Sequence, residues 1–367
     1  MQEVVIVAGV RTPVGRYMGA LKEVQPYDLA ALVLNEAARR AGIEPRMVDQ
    51  VVMGQSYQSG EYVNIARMSL LTAGWPEEIP GVTLDNRCCT GLEVVRYAAA
   101  LIASEQANLV VAGGAESMSN AEFYLPGSLK WGIGGTRGMP RGHGDLAIWG
   151  IPMYDRIQRA RVMSQPEERY GILPAMMSWA ETAAEEHSIT REQCDQLSLE
   201  SHQKACAAIA AGKFAEEIVH VSISQRKGNP IVIDRDENPR ADTTLEALAK
   251  LKPVLGGVCT AGNSSTENDG AAAVVVTSAS RAAELGMQPL AVFKSCAVVG
   301  DDPRRTYRTV PRAVAKALER AGLSLDQIEL IEIQEAFAAQ VLADLEEMGV
   351  GQKDYPRVNV KIGRAHV

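Results

Sequence analysis

Aromatic side chains are scarce in this chain. They make up 5% of 367 residues, with only four Phe and four Trp. Apolar residues still reach 46%, so the interior falls to Ala, Val and Leu, as in an ordinary soluble globular protein. Long apolar runs are missing as well: none reaches the about 18 residues that a membrane helix needs. The opening residues Met1-Gln2-Glu3-Val4-Val5-Ile6-Val7-Ala8 place no basic segment ahead of the apolar run, which argues against a signal peptide. Positive charge is in deficit. With 37 Lys and Arg against 45 Asp and Glu, the net charge is −8, which argues against nucleic acid as a partner but leaves room for a local basic pocket. Six cysteines at irregular spacing fit neither a disulfide framework nor paired C-x-x-C zinc knuckles, and five histidines form no H-x-x-x-H pair. A reduced, cytoplasmic protein is the expectation.

The length predicts two or three domains. Strand and helix signals alternate from the start. Glu3 to Ala8 reads as a strand. Asp28 to Ala41 has helical apolar spacing and ends at Gly42, a left-handed cap. Val48 to Met53 is a second strand, closed by Gly54, and Leu109 to Ala112 a third, ended by Gly113-Gly114. This rhythm predicts an α/β fold with covered sheets. From about residue 119 the character changes. A Gly-rich stretch with Lys130, Arg137, Arg141 and His143 precedes helices from about Pro174 to Ala211, which predicts an inserted domain. The three cations read as a solvated loop, since no phosphate-cradling pattern accompanies them. His187, His202 and His220 read as helix-surface or edge positions.

The chain also repeats itself. Arg40-Ala41-Gly42-Ile43 followed by Met47 to Met53 aligns without a gap on Arg320-Ala321-Gly322-Leu323 followed by Gln327 to Ile333. Each copy is a helix, a glycine stop and a strand. Gln334 then stands just beyond a strand end, where open α/β sheets place their ligands.

Asn86-Arg87-Cys88-Cys89-Thr90-Gly91 carries the most chemistry. It lies between an extended approach, Ile79 to Leu84, and a helical run, Leu92 to Ile102. A cysteine on such a turn is lifted out of the sheet, and the helix N-terminus favours its thiolate. Covalent catalysis and a small, inert buried thiol are both open on local sequence.

Five segments in order resemble the thiolase family of acyl-CoA C-acyltransferases, over nearly the whole chain. Arg11-Thr12-Pro13-Val14-Gly15 resembles R-T-P-x-G, and Asn86 to Gly91 the nucleophile segment. Gly113 to Ser119 resembles G-G-x-E-x-M-S. Thr260 to Ser265 with Asn268 to Ala272 resembles T-A-G-N-A-S and N-D-G-A-A, and Gln334 to Ala338 resembles N-E-A-F-A. The resemblance implies a five-layered α-β-α-β-α fold. Two similar βαβαβαββ-type halves (1–118 with 267–287, and 288–360) pack together, and an inserted loop domain (119–266) covers the CoA site. It implies that Cys88 is acylated by a thioester and that Gln334 orients a water in an oxyanion hole. It also implies that Ser265, Ala261 and Met176 line the CoA and acyl site. CoA thioesters enter as substrates, with no metal or redox cofactor, and the assembly is a homodimer or homotetramer.

Departures from the family are specific. Gln334 replaces the usual Asn and is one methylene longer; as an alternative it caps the following helix. Cys89 replaces a Gly, and its position on a helix start points it away from the role of second, basic cysteine. Ala175 stands where acetyl-specific members carry His, while Met177 and Trp179 read as core. After Tyr355-Pro356-Arg357-Val358-Asn359-Val360 the pattern stops, and residues 361–367 read as an artefactual tail. The expectation is therefore a C-terminally truncated thiolase with an incomplete second half, lacking the family's catalytic His and second Cys. The alternatives are a non-catalytic acyl-CoA-binding protein of this fold or, less favoured, a ketoacyl-synthase-type condensing enzyme, which needs two further histidines.

Overall fold

The computed structural model describes residues 2–127, 152–173 and 176–360. Lys130, Arg137, Arg141, His143, Ala175 and residues 361–367 lie outside them. One mixed sheet joins β1 (Val4–Arg11), β2 (Gln50–Gly54), β3 (Gly81–Leu84), β4 (Leu109–Ser117) and β5 (Asn268–Ser278) of the first half to β6 (Ala291–Val292), from the stretch read as the second half. Their order is β6-β1-β5-β4-β2-β3, and Gly15–Arg16 adds to β5. β4, β2 and β3 run parallel, while β4, β5, β1 and β6 pair antiparallel.

Strand side chains alternate between two cores. Val51, Met53, Leu109, Val111, Ala273 and Val275 pack beneath α1 (Pro26–Ala41) and α2 (Ile65–Thr72). Val52, Val110, Ala112 and Val276 pack against Val94, Ala98 and Ile102 of α3 (Thr90–Ala103). With both faces covered, the strands read as continuous apolar runs.

β4 does not stop at Gly113-Gly114, as the sequence suggested, but runs on to Ser117. A Cβ at Gly113 would lie 2.3 Å from the carbonyl oxygen of Ala272, and one at Gly114 would lie 3.2 Å from that of Gly54. These glycines mark close strand approach, a recognised alternative to a break.

The sequence repeat has a backbone counterpart. Gly42 ends α1 at φ 67°, ψ 29°, and Gly322 ends α6 (Thr309–Ala321) at φ 67°, ψ 31°. Each is followed by a one-turn 3-10 segment, Pro45–Met47 or Leu325–Gln327. Beyond the first, β2 joins a full sheet. Beyond the second, Ile331 makes a single parallel bridge to Val358.

The inserted segment contributes α4 (Met177–Glu186) and α5 (Arg191–Ala210). They pack against α7 (Ala338–Glu347). Trp179, Ala180, Ala183, Cys259, Tyr307, Phe337 and Ala339 share that second core, so Trp179 is core, as expected. His202 is not on a surface. It is buried in α5, its Nδ1 accepts the Arg240 N–H at 3.3 Å, and burial lowers its pKa. His187 is half-buried against the carboxylates of Glu346 and Glu347. Among the described residues, no helix is long and apolar enough to cross a membrane.

α7 buries an acid. Asp344 is fully buried; Gln340 donates to one of its oxygens, and its other oxygen and the Gln340 carbonyl have no partner. Burial, reinforced by Glu347 and opposed by the Gln340 hydrogen bond, pushes its carboxyl up to about 8. The folded state therefore holds this proton more tightly than the unfolded chain. The resulting stabilisation is complete below the unfolded carboxyl pKa of about 4 and is lost as pH rises through about 8. Asp344→Asn cannot ionise, and its amide can donate to the open Gln340 oxygen. Thermal melts should show the variant above the parent at about pH 9, with the gap shrinking toward about pH 5. A constant gap would show that this acid does not titrate with folding.

Candidate active site on the Cys88 turn

The approach to Cys88 is a short loop with a strained residue at its centre. Arg87 sits at φ +49°, a left-handed conformation that costs a non-glycine residue about 1–2 kcal/mol. Every polar part of its backbone is held. Its N–H donates to Asp85 Oδ1 at 2.9 Å, and its carbonyl accepts from Ser56 Oγ at 3.0 Å and Thr90 Oγ1 at 2.6 Å. Its guanidinium donates to the Ser56 carbonyl and lies 5.7 Å over the Tyr57 ring. Thr90 Oγ1 also accepts the Asn86 N–H at 2.7 Å. Buried Thr90 thus closes the loop upon itself.

The loop ends in the 3-10 turn Arg87–Cys89, which leads directly into α3. Cys88 is exposed there in the single chain and is not in a disulfide. The inert buried-thiol reading of Cys88 therefore falls. Cys89 is also exposed as a residue, but desolvation, followed by the nearby Glu93, raises its thiol pKa. A protonated thiol is a poor nucleophile, so its surroundings hold Cys89 back.

Three residues that the sequence did not single out gather here. The Tyr57 phenol is raised by burial, is opposed by Arg161 and Arg87, and feels Cys88 and Glu116 as negative neighbours. Arg161, on the short helix Arg156–Val162, pairs with Glu267. Arg161 thus ties its helix to the segment just after Ser265, while its charge reaches the Tyr57 phenol. No local pattern announces either residue. Glu116 was visible inside G-G-x-E-x-M-S, but only as part of a motif.

The other expected residues assemble around two asparagines. Asn263 is buried; its side chain accepts the Thr260 N–H at 2.7 Å and donates to Asp195 and the Val258 carbonyl, both at 3.0 Å. That network fixes the Thr260–Ser265 loop with Ala261 outward and exposed. Asn359 accepts the Ile333 N–H at 2.8 Å and donates to the Ile333 carbonyl at 3.1 Å and to Glu335 Oε1 at 2.8 Å. Ser201 donates to Glu335 Oε2 at 2.5 Å. With Ile333 and Glu335 turned inward, Gln334 is presented outward.

The two pieces are joined directly. Ser265 N–H donates to the Ala336 carbonyl at 2.9 Å, and Ala338 N–H donates to the Asn263 carbonyl at 3.0 Å. Met176 packs half-buried on the same core as Phe337, which meets Trp179 edge-on at 5.2 Å. The structure thus brings Ala261, Ser265, Met176 and the Gln334 segment together. Phe337 occupies the N-cap position of α7. Among the described residues, no cluster of His, Cys, Asp or Glu is arranged to hold a metal ion.

Known proteins share both the sequence and the fold. The thiolase N-terminal domain model matches residues 4–280 and the thiolase C-terminal domain model residues 287–365. An acetyl-CoA acetyltransferase of Pseudomonas aeruginosa is 40% identical over 99% of this chain and 87% of its own length. A beta-ketoadipyl-CoA thiolase of Pseudomonas putida is 42% identical over 98% of this chain and 86% of its own. The crystal structure of the Bacillus anthracis acetyl-CoA acetyltransferase matches with a TM-score of 0.90 and 37% identity, over 100% of this chain and 87% of that one. The C-terminal domain match runs to residue 365. It corrects the expectation that the family pattern breaks off after Val360 and that the residues beyond are foreign to it.

Thr90→Val keeps the shape of the residue against Gly54, where a Cβ would lie 2.3 Å from the Thr90 methyl, but removes both hydroxyl hydrogen bonds. We expect a loss of about 1–3 kcal/mol in denaturant unfolding and slower capture of Cys88 by iodoacetamide. Unchanged capture would show that the hydroxyl does not hold the turn.

Proposed function

The chain belongs to the thiolase family, and from that premise we propose how its residues act. It is an acyl-CoA C-acyltransferase that makes or cleaves 3-ketoacyl-CoA through an acyl-cysteine. Cys88 is the acylated residue in this reading. The observation that carries it is an exposed thiol at the start of a 14-residue helix, behind a strained residue whose backbone groups are all held.

The Cys88 sulfur attacks the thioester carbonyl, the bond from that carbon to the CoA sulfur breaks, and CoA leaves as a thiol after taking a proton. In the synthetic direction the α-carbon of acetyl-CoA loses a proton and attacks the acyl carbonyl. A carbon–carbon bond forms and the Cys88 sulfur leaves. Negative charge grows on the thioester oxygens in these steps, so fixed donors lower the barrier. The Gln334 side chain, turned outward by its buried neighbours, orients a water for that purpose. Ser265, Ala261 and Met176 line the approach of CoA and its acyl group. This chemistry uses CoA thioesters as substrates and needs no metal or redox cofactor.

A cytoplasmic homodimer or homotetramer completes the proposal. Edge strand β3 supports it, because among the described residues it pairs within the sheet on one side only, and such an edge can accept a second copy.

Rapid mixing with acetyl-CoA should release about one equivalent of CoA per chain in a burst and leave an acetyl group on the Cys88 peptide. Cys88→Ala should abolish both signals. Gln334→Ala should lower kcat on the order of 100-fold with little change in KM. Acetylation at another residue, or a burst that survives Cys88→Ala, would sink the assignment.

A further inference from the structure

Glu116, near the end of β4, reaches out of the sheet to the bend after β2. Its Oε2 accepts the Ser56 N–H at 2.8 Å and the Tyr57 N–H at 3.3 Å. Ser56 in turn holds Arg87 at two points, through Oγ to the Arg87 carbonyl and through its own carbonyl to the guanidinium. Arg87 immediately precedes Cys88. An unbroken series of contacts therefore runs from the sheet to the residue just before the thiol. Glu116 Oε1, by contrast, is sealed from solvent and has no hydrogen-bond partner.

We propose that Glu116 is the positioning residue of the Cys88 turn: its carboxyl holds the Ser56–Tyr57 bend against Arg87, and taking up a proton loosens that hold. The inference rests on Cys88 being the reactive thiol. An ionised carboxylate is a stronger acceptor for the two N–H groups than a neutral acid, since charge-assisted hydrogen bonds are about twice as strong. The orphaned Oε1 works against ionisation. Burial raises this carboxyl to about 7, against the opposing pull of the two backbone N–H groups. The charged and titratable groups facing it are Asp85 and Arg87 on the turn and Tyr57 and Tyr62 on the bend. Gly270, its partner in register on β5, brings none.

The test is the rate of Cys88 alkylation by iodoacetamide against pH, read on the Cys88 peptide by mass spectrometry so that Cys89 is excluded. The parent should show two inflections, one from the thiol and one near 7 from Glu116. Glu116→Gln keeps an acceptor oxygen for Ser56 and Tyr57 but cannot ionise. It should lose the inflection near 7 and keep that of the thiol. Glu116→Ala removes the anchor and should slow alkylation on the order of tenfold at every pH. Should that variant fail to fold, the Glu116→Gln profile decides alone. A Glu116→Gln profile superimposable on the parent overturns the proposal. A parent that is not acetylated on Cys88 but whose inflection near 7 vanishes in Glu116→Gln would remove the acyl-transfer reading and leave the positioning role standing.

Discussion

The antiparallel ladder between β4 and β5 is the constraint on which the rest of this molecule depends. It joins Leu109–Ser117, before the inserted segment, to Asn268–Ser278, after it. Its register places Gly113 opposite Ala273 and Gly114 opposite Ala272, and the small side chains there are what lets the backbones approach. At its open end Ser117 and Ser119 both bond to Asp269, and the Met18 N–H donates to Ser119 Oγ. Two motifs that look separate in the sequence are thus the two sides of one ladder. Glu116 leaves that ladder for the nucleophile turn, and Ser265, just ahead of β5, bonds to the Gln334 segment.

Rigidity at the site comes from polar groups fully engaged on the inside. Asn263, Asn359 and Glu335 are all buried, and each ties together stretches that are distant in the chain. Such networks specify one arrangement because leaving any member unpaired in a low-dielectric interior is costly. Turning Glu335 inward is what turns Gln334 outward. The functional side chain is placed by its neighbour's needs.

The sequence made the first sheet legible because its strands are apolar on both sides and its helices end in glycines. It also marked Cys88 and the Gln334 segment, because each lies on an extended approach that precedes a helix. It misread Gly113-Gly114, since a glycine that breaks a strand and one that admits a neighbour look alike without the neighbour. It misread His202 because α5 buries a largely polar face, Asp195, Ser198, Ser201 and His202. The helical spacing is there, but the hydrophobicity that usually flags it is not. Tyr57 and Arg161 were invisible because tertiary structure alone brings the charge of one to bear on the other.

The position of the insertion also governs how the chain is born. β4 and β5 are neighbours in the sheet, yet synthesis separates them by the whole inserted segment. A ribosome must deliver residues up to Ser278 before the central ladder of the first half can close. Until then β1 and β4 both lack their common partner, and their apolar faces and open edges are available to other chains. The entropic cost of closing so long a loop grows only slowly with its length, but non-local pairing of this kind slows folding. The first sheet therefore closes later than the size of the first half would suggest.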